Sequence, residues 1–169
     1  MFWGADMFEQ IAEPPLRDLV LAAAGDALEN MFFTGILGLA EDASFDDAAI
    51  RASVDFSGTA SGKAILELSR SSAVDLAASF LGQDSDAVSM QDAESVVLEL
   101  ANIVCGSALS HWCHDGLFTL STPVLLGERV KYAGATRVTL ELESGFLAIS
   151  MSMQTRGGEP KHWNERFES

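Results

Sequence analysis

Basic residues are scarce in this chain. Ten lysines and arginines face 25 aspartates and glutamates, for a formal charge of −15 over 169 residues. That balance disfavours a nucleic-acid backbone or an anionic membrane surface as partner, because both repel it. It leaves a solvated surface that keeps the protein dispersed, or a negative face that attracts a basic patch on another protein. Cysteine is nearly missing too. Cys105 and Cys113 are the only two, so no disulfide framework follows and a reducing cytosol fits. Long apolar runs are lacking as well: LVLAAAG and MFFTGILGLA fall short of the roughly 20 residues a bilayer-spanning helix needs. The opening MFWGADMFEQ has no basic stretch ahead of an apolar one, so a secretory leader is not expected. The chain reads as a cytoplasmic protein that neither enters a membrane nor binds nucleic acid.

What is present suffices for one core. At 48% apolar content, the length suits a single domain, taken as residues 1–155. A polar tail, 156–169, follows, read as mobile unless Trp163 and Phe167 dock it. Pro14 and Pro15 can open a helix. Leu16, Leu19, Val20, Ala23, Ala27, Leu28 and Met31 then recur at helical spacing, with an end expected near Phe33. Alternation of Ile50, Ala52, Val54 and Phe56 predicts a half-buried strand, SGTASG a turn, and KAILELS the returning strand. Ser72 with Asp75 has the pattern of a capping box, and Gly82 that of a C-terminal cap. Ser89 with Asp92 repeats the box ahead of a long helix, Met90 to about Asp115, with Gly116 as its stop. Short strand-like runs broken by Pro123 and Gly127 follow. Val138, Leu140 and Leu142 then lead into a second hairpin that turns at Ser144 and Gly145. Antiparallel strands with about three helices give an α+β domain, a two-layer sandwich whose helices cover one sheet face.

Within the long helix, the stretch SVVLELANIVCG carries a polar line. At about 100° per residue, Ser95, Glu99, Asn102 and Gly106 fall within an arc of about 60°. Val96, Leu100, Ile103, Val104, Ser107 and His111 lie on the far side. Exposure accounts for Glu99. It accounts less well for Asn102 and Gly106, because each costs roughly 0.5–1 kcal/mol against alanine in a helix. Two readings stand. The line is a solvated edge that tolerates poor helix formers, or it is a docking edge. In the second reading Gly106 lets a partner come close, and Glu99 and Asn102, one turn apart, present a carboxylate and an amide to the same point. Cys105, His111, Cys113 and His114 invite a metal reading, but on one helix they project over most of the circumference and do not converge on an ion. A nucleophilic cysteine is disfavoured by acidic surroundings that raise its pKa.

SVVLELANIVCGSAL followed by STP resembles the signature of the CheC/CheX/FliY family of response-regulator phosphatases. That signature is an Asp or Ser, three residues, Glu, two residues, Asn, and a proline a little over twenty residues further on. The matching positions are Ser95, Glu99, Asn102 and Pro123, with the proline slightly closer than usual. The hairpin VDFSGTASGKAILELS also resembles the family's glycine-rich strand pair, and the likeness runs from about Leu16 to Met153. The CheC branch carries two such helices. Here Glu29 is followed three positions on by Phe32, so the first helix lacks the motif and the chain resembles the single-site CheX branch.

The resemblance implies a homodimer that removes phosphate from the aspartyl phosphate of a CheY-like receiver. Mg²⁺ would sit on the receiver, with no cofactor on this chain. Glu99 would pair with a cationic group of the receiver, and Ser95 and Gly106 would line the contact. An acyl phosphate is already activated, so hydrolysis needs one water held in line, and positioning dominates. A neutral amide suits that task, since its oxygen accepts from the water and its nitrogen donates to it. A carboxylate there would be repelled by the phosphate. Asn102 is therefore the water-positioning candidate. The alternative is a non-catalytic module that binds a receiver or a flagellar-switch component.

Overall fold

The computed structural model describes residues 16–129 and 135–154. Pro14, Pro15 and the tail 156–169 lie outside the described residues. In chain order the elements are α1 Leu16–Met31, β1 Gly38–Leu39, β2 Ile50–Gly58, β3 Ser61–Leu68, α2 Arg70–Leu81, a 3₁₀ turn Ser85–Ala87, α3 Met90–Trp112, β4 Phe118–Leu120, β5 Val124–Leu126, β6 Thr136–Leu142 and β7 Gly145–Gln154. The strands pair antiparallel in the order β1-β6-β7-β3-β2. Both β4 and β5 then run along successive lengths of the free edge of β2. With the helices packed on the sheet, the architecture is the expected two-layer α+β sandwich.

Period-2 alternation builds both hairpins. Ala52, Val54 and Phe56 of β2, Ala64, Leu66 and Leu68 of β3, and Leu147, Ile149 and Met151 of β7 all sit in one core. Leu28 and Phe32 of α1 and Leu100 and Leu109 of α3 fill it from the helical side. Gly58 closes the first hairpin at φ 124°, and a Cβ there would meet the Leu117 carbonyl oxygen at 2.1 Å. Only glycine fits such a position.

β2 is more buried than a half-buried strand. Its outward residues Arg51 and Ser53 are also buried, because the segment before it folds over that face. Phe45 and Ala49 form a small second cluster with Ala148. Beneath them Arg51 Nε donates to Glu67 Oε2 at 2.6 Å, and its Nη atoms donate to the carbonyls of Ala49 and Asp46. Arg137 Nη2 donates to the other oxygen of Glu67 at 2.9 Å.

Several local expectations are corrected. Ser72 does not open a capping box with Asp75. The helix starts earlier, with Ser69 as N-cap, whose hydroxyl accepts instead from the Phe146 amide at 3.0 Å. Gly82 caps the helix in the left-handed conformation as expected. The first helix stops at Met31 rather than Phe33, which has φ 53°. The long helix ends at Trp112, short of Asp115. Trp112 and Cys113 are both buried, so the chain turns inward there. At 23 residues this helix is long and apolar enough, by length and composition, to cross a bilayer, which the apolar runs in the sequence did not suggest. Half of its most apolar window is buried inside the domain, as in a core helix.

Candidate functional site on the long helix

α3 begins on the capping box that its sequence announces. The Asp92 amide donates to Ser89 Oγ at 3.0 Å, and the Ser89 amide donates to Asp92 Oδ2 at 3.2 Å. From there one side of the helix is closed off: Ala93, Val96, Val97, Leu100, Ala101 and Val104 are all buried. The polar line runs along the other side. Ser95 and Glu99 are exposed, and Asn102 and Gly106 are half-buried. Neither the Asn102 amide nor the Glu99 carboxylate makes a hydrogen bond or ion pair to a described residue, so both remain available to a partner. His111, in the last turn, is exposed. Its Nδ1 lies 2.8 Å from the Ser107 carbonyl oxygen and its Nε2 3.7 Å from Asp26 of α1.

The line passes beside the β4–β5 edge. A Cβ built on Gly106 would find only Leu120 Cδ2, at 3.8 Å, which is ordinary van der Waals contact. The fold therefore does not demand glycine at 106. Pro123 is half-buried in the break between β4 and β5, both of which contact α3. Ser121 holds that break to β2, with its amide donating to the Asp55 carbonyl at 2.8 Å and its hydroxyl accepting from the Asp55 amide at 2.9 Å. Proline, which has no N–H for a ladder, is suited to such an interruption on an edge. Leu117, Val124 and Leu125 stand exposed on this same edge. Sequence reading missed them, because the pattern of a three-residue strand does not say which side meets water.

An expected result follows for Gly106→Ala. Removing a glycine from a helix interior where Cβ has room should raise unfolding stability by about 0.5–1 kcal/mol, measured by denaturant titration. Weaker receiver binding in the same variant would mark the open position as a feature of docking; unchanged binding would remove Gly106 from the contact.

Cys105 is not a nucleophile in waiting. Burial first, and the nearby Asp55 charge second, push its thiol up from 9.0 to about 12. Since the thiolate is the reactive form, labelling by iodoacetamide at pH 8 should be far slower in the folded protein than in the unfolded one. The folded pKa lies above the unfolded value. Its contribution to stability is therefore complete below pH 9 and lost as pH rises toward 12. A melting temperature whose decline above pH 9 is the same in Cys105→Ala would contradict this.

The family described as chemotaxis phosphatase CheX matches residues 50–143, a span that holds Ser95, Glu99, Asn102, Gly106 and Pro123. No curated protein matches the chain in sequence. Among solved structures, chemotaxis protein CheX from Vibrio vulnificus superposes with a TM-score of 0.70 at 17% identity, over 85% of this chain and 99% of that one. A chain of the CheX–CheY–BeF3–Mg²⁺ complex from Borrelia burgdorferi gives 0.63 at 15% identity, over 83% and 98%. FliY from Thermotoga maritima gives 0.57 at 13% identity, over 96% and 93%. At such identities these structures speak for the fold. The family match covers more than half of the sequence, and the chain belongs to the chemotaxis phosphatase CheX family.

Proposed function

We propose that this chain hydrolyses the aspartyl phosphate of a CheY-like receiver domain, using the exposed edge of α3 as its docking surface. The observation that carries the reading is the pair Glu99 and Asn102, one turn apart, with no side-chain bond to any described residue and on a helix anchored by its opposite face. Glu99 pairs with a cationic side chain of the receiver and so sets the position of the helix over the phosphate. Asn102 then reaches the attacking water with its amide. That group holds a water without adding charge next to the phosphate. Its half-buried placement restricts its rotamers, which suits a positioning role. Ser95 and Gly106 line the contact on either side of the pair. In this reading the phosphoryl group and its Mg²⁺ belong to the receiver, where the Mg²⁺ would offset charge on the phosphate; the Borrelia burgdorferi structure holds CheX, CheY, BeF3 and Mg²⁺ in one complex. No residue of this chain needs to form a covalent intermediate. The deciding experiment is single-turnover dephosphorylation of a phosphorylated receiver, run beside a separate binding measurement.

The same reading includes a homodimer. β1 is an edge strand of two residues; Leu37 just before it and Leu39 within it are 61% and 53% exposed. Pairing two such edges covers open backbone groups and those side chains together. Sedimentation at micromolar concentration should give the mass of two chains, and a monomer there would count against it.

A further inference from the structure

A second surface carries features that the α3 line does not use. A cavity of about 290 Å³ opens between α2, the segment after α1 and the β6–β7 turn, and no residue of α3, β4 or β5 lines it. Its wall holds the carboxylates of Asp75 and Glu143 with the hydroxyls of Thr34, Ser79 and Ser85, and none of its lining residues is basic. Asp75 accepts from Ser85 Oγ at 3.2 Å through one oxygen, which leaves the other free. Ser72 also lines the cavity; it is 1% exposed, and its hydroxyl, which faces Gly145, bonds to no described residue. At the mouth, Phe33 is 78% exposed and has φ 53°, a conformation that bulky residues seldom adopt. The bend itself ends α1, since it lets the Thr34 amide donate to the Leu28 carbonyl at 2.8 Å, but the Phe33 ring is left standing in water. Phe32, its buried neighbour, stacks on Phe80 with ring centroids 5.2 Å apart. Phe80 and Leu81 thereby add exposed apolar surface at the same end of the domain.

We propose that this cavity docks a second partner protein, which inserts a lysine or arginine side chain between Asp75 and Glu143 and packs a neighbouring apolar side chain on Phe33. Charge selects the cation, since the lining carries two carboxylates and no basic group. The apolar rim selects a protein segment over a free amine, because a small amine would leave Phe33 and Phe80 in water. A basic anchor in a pocket ringed by apolar contacts is the usual form of an interface hot spot. The cavity and the α3 line are built from different elements, so this partner and the receiver need not compete.

The test is titration of the ¹⁵N-labelled full chain with the peptide acetyl-Gly-Leu-Arg-Phe-Gly-amide, followed by amide chemical shifts. Controls are the same peptide with Glu in place of Arg, and argininamide alone. The Arg peptide should shift Thr34, Ser79, Ser85 and Glu143, and the Glu peptide should not. Combining Asp75→Asn with Glu143→Gln should weaken binding at least tenfold. Phe33→Gly should weaken it too, while the melting temperature holds or rises, because glycine accepts that φ. Receiver dephosphorylation should keep its rate in these variants, which separates this proposal from the fate of the α3 reading. The proposal is overturned if the Arg peptide causes no shifts at millimolar concentration, if the variants bind it as well as the parent chain does, or if argininamide alone binds as tightly as the peptide. A melting temperature lowered in Phe33→Gly would show that the ring serves the fold and would overturn its place in the rim.

Discussion

Asn102→Ala is expected to slow receiver dephosphorylation about 10²–10³-fold, the scale of losing one well-placed transition-state donor, while folding and receiver affinity stay nearly unchanged. The fold loses no hydrogen bond to a described residue, and alanine is the better helix former. Glu99→Ala should behave differently. It removes a charged contact with the partner, so binding should fall together with rate. Glu99→Lys should bind more weakly still, because it sets like charges opposite one another. Ser95→Ala should be a minor change. Single-turnover rates at saturating chain, set beside dissociation constants, separate the two behaviours. A wild-type rate in Asn102→Ala would end the water-positioning role and leave a module that binds without hydrolysing.

Glu67→Ala should cost about 3–5 kcal/mol of stability, the range for removing one partner of a buried ion pair. Against the 5–15 kcal/mol typical of a domain, that is a severe loss. Arg51 carries most of the effect, since its side chain is 5% exposed and the deletion strands its charge. The carbonyls of Ala49 and Asp46 remain to it, and they satisfy N–H groups without neutralising the charge. Arg137 is 46% exposed and turns to water at little cost. Replacing both members, Arg51→Met with Glu67→Leu, should recover most of the loss, because the buried charge goes with its partner. Urea titration of the three proteins checks this. Equal stability of Glu67→Ala and the parent would show that the network contributes nothing net.

Features that depend on nearby residues were legible in the sequence. The box at Ser89 and Asp92 spans one turn and needs nothing else. The polar line on α3 needs only the helical period, and the fold leaves Ser95 and Glu99 exposed and Asn102 and Gly106 half-buried. Features set by distant partners were not legible. Ser72 and Asp75 show the same letters as a true box, but the start of α2 is set by Ser69, which bonds to Phe146, 77 positions away. β1 is two residues long and exists because β6, about a hundred positions later, pairs with it. The end of α3 is decided by the burial of Trp112, tilted against Phe118, and not by Gly116. Arg51 sits in an alternating strand where an exposed cation is the natural expectation; only the fold brings Glu67 and the cover of Phe45 to it.

The two residues between Glu99 and Asn102 are Leu100 and Ala101, both at 0% exposure. An insertion between them would turn the rest of the helix by about 100° and swing Val104, Ala108 and Leu109 out of the core. Selection for folding alone thus preserves the interval in the motif, whether or not a phosphate is ever met. The edge itself is under no such constraint. A library randomised at the exposed Ser95 and Glu99 would remain folded in most of its members, so the surface this helix offers can vary quickly while the spacing along it is held by the core.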